Sequence, residues 1–199
     1  VRFCPALPRT LVSAFLAGSD HLSDAASQAR HLWISGAGNA QEEAALLGLY
    51  GSTFSPDDQW RRYERLESLG QISAASRQID RLPPDRQALA EARLAERAAS
   101  PDADTAFNAL SSSDRSDPTL IRYRLKALRR GNRLDEALAL WTSTGYSLQA
   151  SAPSHDWSSE RGSLARAFLL AGQAQKAYAL AQDMTLPLRE IARQAAQHL

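Results

Sequence analysis

The sequence predicts an all-α fold in which antiparallel helix pairs stack into a superhelix, and three observations lead to it. The first is composition: Ala, Leu, Ser and Arg are the commonest residues, three of them good helix formers, aromatic residues are 7% of the chain, and no segment alternates Val, Ile and Thr between turn residues as a strand does. The second is an apolar set repeated at the helix spacing i, i+3, i+4, i+7. It occurs as Ile72, Ala75, Ser76 and Ile79; as Ala103, Ala106, Phe107 and Leu110; as Leu134, Ala137, Leu138 and Trp141; and as Ala174, Ala177, Tyr178 and Ala181, always with alanine in second place. The starts lie 31, 31 and 40 residues apart, which suits a two-helix unit with its turns. The third is punctuation: each set follows a breaker, Gly70, Pro101, Gly131 or Gly172, and a separate first helix lies ahead of it.

In chain order, weaker periodicity marks helices within residues 11–50, at Leu11 to Ala17, Leu22 to Trp33 and Asn39 to Tyr50. The first full pair is expected at about 55–82. Ser55 supplies an N-cap oxygen, Pro56 suits the first helical position, and Asp57 and Asp58 sit at the positive end of the helix dipole. From there Trp60, Tyr63, Leu66 and Leu69 form one stripe, while Arg61, Arg62, Glu64, Arg65 and Glu67 are expected to face away. The second pair, 84–111, opens at Leu82-Pro83-Pro84-Asp85 and turns Leu89, Ala92 and Ala95 inward. Asp117-Pro118 opens the third, 117–144, with Ile121, Leu125 and Leu128; the fourth, 157–184, runs from Trp157 through Leu164 and Phe168. The recurrent alanine allows two helix axes to approach closely where their ridges interlock.

The Ser-rich stretches Ser111 to Asp117 and Gly145 to His155 are expected as loops, the second accounting for the longer final step. No linker divides the chain, so the expectation is a single α-α superhelical domain over residues 1–199, a tetratricopeptide-like solenoid. The start of a further helix at 188–199, with Ile191 and Ala195 inward, lacks the polar face that caps such arrays and implies a longer protein.

Composition bounds the function classes. Lys and Arg number 23 against 22 Asp and Glu, a net charge of +1, so no strong field points to nucleic acid or an anionic membrane. The lone cysteine, Cys4, cannot form an intramolecular disulfide, which leaves cytoplasm and periplasm open. No apolar run approaches the ~20 residues of a membrane span, and Val1 to Thr10 lacks the apolar stretch of a signal peptide.

The residue types that carry chemistry do not cluster. His21, His31, His155 and His198 are scattered and form no His-Glu-x-x-His pattern, so no metal site is assigned. Glu42-Glu43 and Asp57-Asp58 are adjacent carboxylates that point in different directions on a helix. Gly36-Ala37-Gly38 follows no strand and reads as a turn, so no nucleotide cofactor is assigned. The arginine doublets Arg61-Arg62 and Arg129-Arg130 read as solvated faces with Glu64 and Asp135 near them, against an anion-binding alternative. Most of the four tryptophans and five tyrosines fall on apolar stripes; Trp157 and Tyr146, bordering the long loop, are the candidates for contact with a glycan or a partner. No catalytic residue is assigned.

A run of sequence words does carry a likeness. Leu32-Trp33-Ile34-Ser35-Gly36, Leu46 to Gly51, Phe54-Ser55-Pro56-Asp57-Asp58, Leu66 to Gly70 and Leu82 to Ala95 are followed in order by Asp117-Pro118, Arg129-Arg130-Gly131, Trp157 to Arg161, Gly172 and Ala177-Tyr178-Ala179-Leu180-Ala181. Over residues 30–185 the chain resembles the non-catalytic, U-shaped α-superhelical domain of soluble lytic transglycosylases. The resemblance implies a periplasmic platform that seats peptidoglycan glycan strands and a C-terminal catalytic domain, which cleaves between the two amino sugars. In that family one glutamate, in a Glu-Ser context followed by Gly-Leu-Met-Gln, is general acid and then base. Glu67-Ser68 is present here, but no Gly-Leu-Met-Gln follows and the single methionine is Met184, so the catalytic domain is absent from these residues. A tetratricopeptide-like scaffold binding protein partners in its concave face is the alternative, and an enzyme acting through Glu67 or Asp58 is a third reading.

Overall fold

A computed structural model of the chain describes residues 22–36, 39–182 and 193, and every regular element among them is helical. The helix expected at Leu11 to Ala17 lies outside the described residues, as does the one at 188–199 apart from the helical Arg193. Among the described residues no helix is long and apolar enough to cross a membrane. The chain divides into two compact units, residues 1–91 and 92–199.

The first unit holds α1 (Leu22–Ser35), α2 (Ala40–Tyr50), α3 (Pro56–Ser68), α4 (Ile72–Ile79) and the first half of α5 (Pro84–Ala98). Local chemistry sets its helix starts. The Asn39 side chain accepts from the amides of Gln41 and Glu42 while Glu42 reaches back to the Asn39 amide; Ser55 and Asp58 do the same at α3. Trp33 stacks on Phe54 with centroids 5.1 Å apart, and its indole nitrogen donates to Gln59 Oε1, which also accepts from Gln78.

The faces of α3 differ from expectation in both directions. Leu69 is 45% exposed because it is the last residue before a reversal, whereas Arg62 and Glu67 are buried at 0% and 2%. Arg62 donates to the Trp33 carbonyl at 2.5 Å and to Glu43 at 2.7 Å, so a charged position enters the core through a partner 19 residues upstream. The single proton of the Tyr63 hydroxyl faces the Ala90 carbonyl at 2.9 Å and Glu67 Oε1 at 3.3 Å, the nearer carbonyl being its main acceptor.

The second unit continues α5 and adds α6 (Ala103–Ala109), α7 (Pro118–Arg130), α8 (Leu134–Leu140), α9 (Tyr146–Ser151), α10 (His155–Leu170) and α11 (Ala174–Ala181). Asp117 caps α7 by accepting from the Leu120 amide at 2.7 Å. Ile121, Leu125 and Leu128 of α7 pack with Trp141, Leu164, Phe168 and Leu180 into one core.

The second helices α4, α6, α8 and α11 begin at Ile72, Ala103, Leu134 and Ala174, the first member of each apolar set. Three of the second-place alanines, Ala75, Ala137 and Ala177, are fully buried; Ala106 is half-buried. Each preceding helix ends in the same way. A residue at positive φ, Gly70 (74°), Ala99 (51°), Asn132 (58°) or Gly172 (72°), reverses the chain. The next amide then donates to a carbonyl five residues back: Gln71 to Leu66, Ser100 to Ala95, Arg133 to Leu128 and Gln173 to Phe168, at 2.8–3.0 Å. Two of the expected breakers are displaced, since the left-handed position is Ala99 rather than Pro101 and Asn132 rather than Gly131. Alanine at such a φ is strained by roughly 1–2 kcal/mol.

The expected loop from Gly145 to His155 is largely helix. A π-helical turn at Trp141–Gly145 carries α8 directly into α9, leaving 152–154 as the connection to α10. Serine and threonine favour loops, but here Thr142, Ser143 and Ser151 donate to the helical carbonyls of Leu138, Leu140 and Ser147, while Leu148 packs on the core. The stretch Ser111 to Asp117 contains only a 3₁₀ turn at Asp114–Ser116.

Candidate functional site

Trp157 and Tyr146, the two residues singled out for contact, belong to one aromatic cluster built on the π turn. The Tyr146 amide bonds to the Trp141 carbonyl across the turn, and Gly145 lies against the indole: a Cβ there would stand 2.9 Å from two Trp141 ring atoms. Any side chain at that position would force the ring or the turn to shift. Trp141 meets Tyr146 edge-on at 5.7 Å and Trp157 at 6.0 Å. Trp157 is 4% exposed and is a core residue, so its indole offers no open stacking face; Tyr146 is 38% exposed, with the Arg161 guanidinium 5.1 Å above its ring. Arg161 is itself held by a hydrogen bond to the Leu180 carbonyl. The Trp141 indole nitrogen is buried and has no hydrogen-bond partner among the described residues.

The carboxylates considered for acid and base work are occupied structurally. Asp58 caps α3 and pairs with Arg30 at 3.0 Å, Glu43 pairs with Arg62, and Glu42 caps α2. Ser68 Oγ donates to the Arg65 carbonyl. His31 and His155 are exposed, His21 and His198 lie outside the described residues, and no group of three or more metal-ligating residues occurs among the described residues.

The arginine doublets find different partners from those their sequence neighbours suggest. Arg61 pairs with Asp57 at 2.8 Å, and Arg129 grips Glu160, 31 residues away, through Nε and Nη2. Asp135 pairs instead with Lys176. The sequence of α7 contains five cations and no acid, a sign that its counter-charges come from other helices. A chain of ion pairs results: Glu96 with Arg124, Arg124 with Asp104 at 2.9 Å, Asp104 with Arg133 at 2.7 Å, and Arg133 with Glu136. Beside it, Glu96, Arg97, Tyr123, Lys126 and Arg130 line a hollow of about 250 Å³.

The network splits its carboxyls. Burial pushes the Glu96 carboxyl above its ordinary range against the pull of Arg124, whereas hydrogen bonds from Arg133 hold Asp104 and Glu136 below theirs. Groups with depressed values stabilise the fold above the ordinary carboxylate range and lose that contribution as pH falls through it; ionised Glu96 works in the opposite sense. Arg133→Gln should therefore lower stability modestly at pH 7, by less than about 1 kcal/mol, because these groups are largely exposed. In urea unfolding, the gap from the unaltered protein should close as pH falls from 6 to below 3; a gap independent of pH would refute the link to Asp104 and Glu136.

No protein-family profile matches the chain, and no curated protein shows significant similarity to it.

Proposed function

We propose that the chain is a non-catalytic superhelical scaffold domain of a peptidoglycan lytic transglycosylase, positioning glycan strands and a C-terminal catalytic domain during cell-wall cleavage in the periplasm. In this reading the helix pairs stack as an α-α superhelix. The observation that carries it is the ordered run of words from Leu32 to Ala181, which falls on structural junctions: Ser55-Pro56 and Asp117-Pro118 open α3 and α7, and Gly70 and Gly172 reverse the chain ahead of α4 and α11. The role needs no catalytic group of its own, and Tyr146 is its candidate glycan contact.

The recurrence of one turn geometry favours a second reading, a tetratricopeptide-like scaffold for protein partners. Gln71, Arg133 and Gln173 share φ of −80°, −88° and −97° with ψ of 63°, 58° and 59°, as expected of units that repeat for stacking rather than for chemistry.

Sedimentation of the purified chain with insoluble peptidoglycan, beside an assay for released muropeptides, separates the two. The first reading expects binding without release, weakened by Tyr146→Ala. Release would overturn its non-catalytic character, and failure to bind would favour the protein scaffold.

A further inference from the structure

The five cations of α7 are not treated alike. Arg122 pairs with Asp156, Arg124 with Glu96 and Asp104, and Arg129 with Glu160. Lys126 and Arg130 form no ion pair among the described residues, although both are exposed and four residues apart. That spacing places two like charges on one side of the helix, an arrangement that is repulsive unless something neutralises it. On the same side is Tyr123, and opposite it, at the end of α5, is Arg97. The four side chains converge on the hollow described above.

Its donors are arranged for an oxyanion. Arg97 Nη1 donates to the Tyr123 hydroxyl oxygen at 2.7 Å, which holds both groups in place and leaves the tyrosine proton free to donate in turn. Glu96, the single carboxylate on the lining, is engaged by Arg124 rather than by the cations of the hollow. Arg97 and Arg130 offer planar forks and Lys126 a point charge, the combination that suits phosphate oxygens. At about 250 Å³ the hollow is smaller than the roughly 300–1,000 Å³ of sites that enclose whole organic ligands, so it suits one charged group on a small carrier. We propose that this hollow binds the dianionic phosphate group of free phosphate or of a small phosphomonoester, with Lys126 and Arg130 as the principal charges, Tyr123 as a neutral donor and Arg97 completing the cradle.

The test is an NMR titration of the full chain with inorganic phosphate at low salt and pH 7.5, with glycerol phosphate and acetate as parallel arms. Saturable shifts are expected at the amides of Ala99, Lys126 and Arg130, with an affinity at least tenfold weaker for Lys126→Ala/Arg130→Ala. Both side chains are exposed, so the double variant should keep its fold, and Arg122→Ala, which removes a cation outside the hollow, should bind as the unaltered protein does. Binding should weaken from pH 7.5 to 5, because the second ionisation of a phosphate monoester lies at about 6. Tighter binding of glycerol phosphate would assign the ester, and equal or weaker binding the free ion. No saturation up to about 10 mM phosphate, acetate binding as tightly as phosphate, or equal affinity in the double variant would each overturn the assignment.

Discussion

Arg62→Ala should destabilise the protein by about 3–5 kcal/mol, the range for removing one partner of a buried ion pair. The side chain is 0% exposed, its guanidinium lies 3.9 Å from the Trp33 ring, and it supplies donors to Glu43 and to the Trp33 carbonyl. Truncation leaves Glu43, itself 8% exposed, with the more distant Arg77 at 3.6 Å as its one remaining ion-pair partner among the described residues. It also removes the link by which α3 holds the end of α1. Arg62 is not ideally served even in the intact protein: its Nε has no acceptor among the described residues, and burial pulls its proton affinity down against Glu43. For that reason Arg62→Met combined with Glu43→Leu should recover most of the loss, since an apolar pair of similar volume avoids an uncompensated charge. Urea unfolding of the single and double variants checks this. A loss below 1 kcal/mol for Arg62→Ala would show that the pair does not tie α1, α2 and α3 together.

Trp141→Ala should be of similar size, about 3–5 kcal/mol, because a fully buried indole at the centre of a core leaves a cavity that its neighbours cannot fill. Trp157, Tyr146 and the π turn all rest against it. Trp141→Phe separates size from polarity. It removes the indole N–H that has no partner, relieving a buried unsatisfied donor, and keeps an aromatic ring, so its cost should fall well below that of the alanine variant. Gly145→Ala tests the same contact from the other side: the methyl group must displace the ring or the turn, at about 1–3 kcal/mol. Thermal unfolding followed by near-UV circular dichroism reports both stability and the tryptophan environment. Equal losses for Trp141→Phe and Trp141→Ala would mean that packing volume is not what the site requires.

Helix starts were legible because their causes are local. Ser55 and Asp58 cap α3 within four residues of each other, and the four apolar sets begin where α4, α6, α8 and α11 begin. The continuation through Gly145 was not legible: the hydroxyls of Thr142, Ser143 and Ser151 serve a loop or a helix equally well until the aromatic cluster decides which. The two contact candidates, Trp157 and Tyr146, were chosen because both border the Gly145 to His155 stretch, and the sequence could not tell that one is enclosed and the other open.

What the sequence by itself determined is the all-helical character, the starts of the four second helices and the absence of a strong charge bias, since these depend on composition and on interactions spanning a few residues. Only the tertiary structure decided which charges are buried and with whom. Arg62 with Glu43, Arg129 with Glu160, and Lys126 and Arg130 without an ion pair among the described residues depend on contacts 19 or more residues apart or on their absence. The helical period says which side of a helix a residue occupies; it does not say which helix comes to lie against that side, and charge burial is settled by that neighbour.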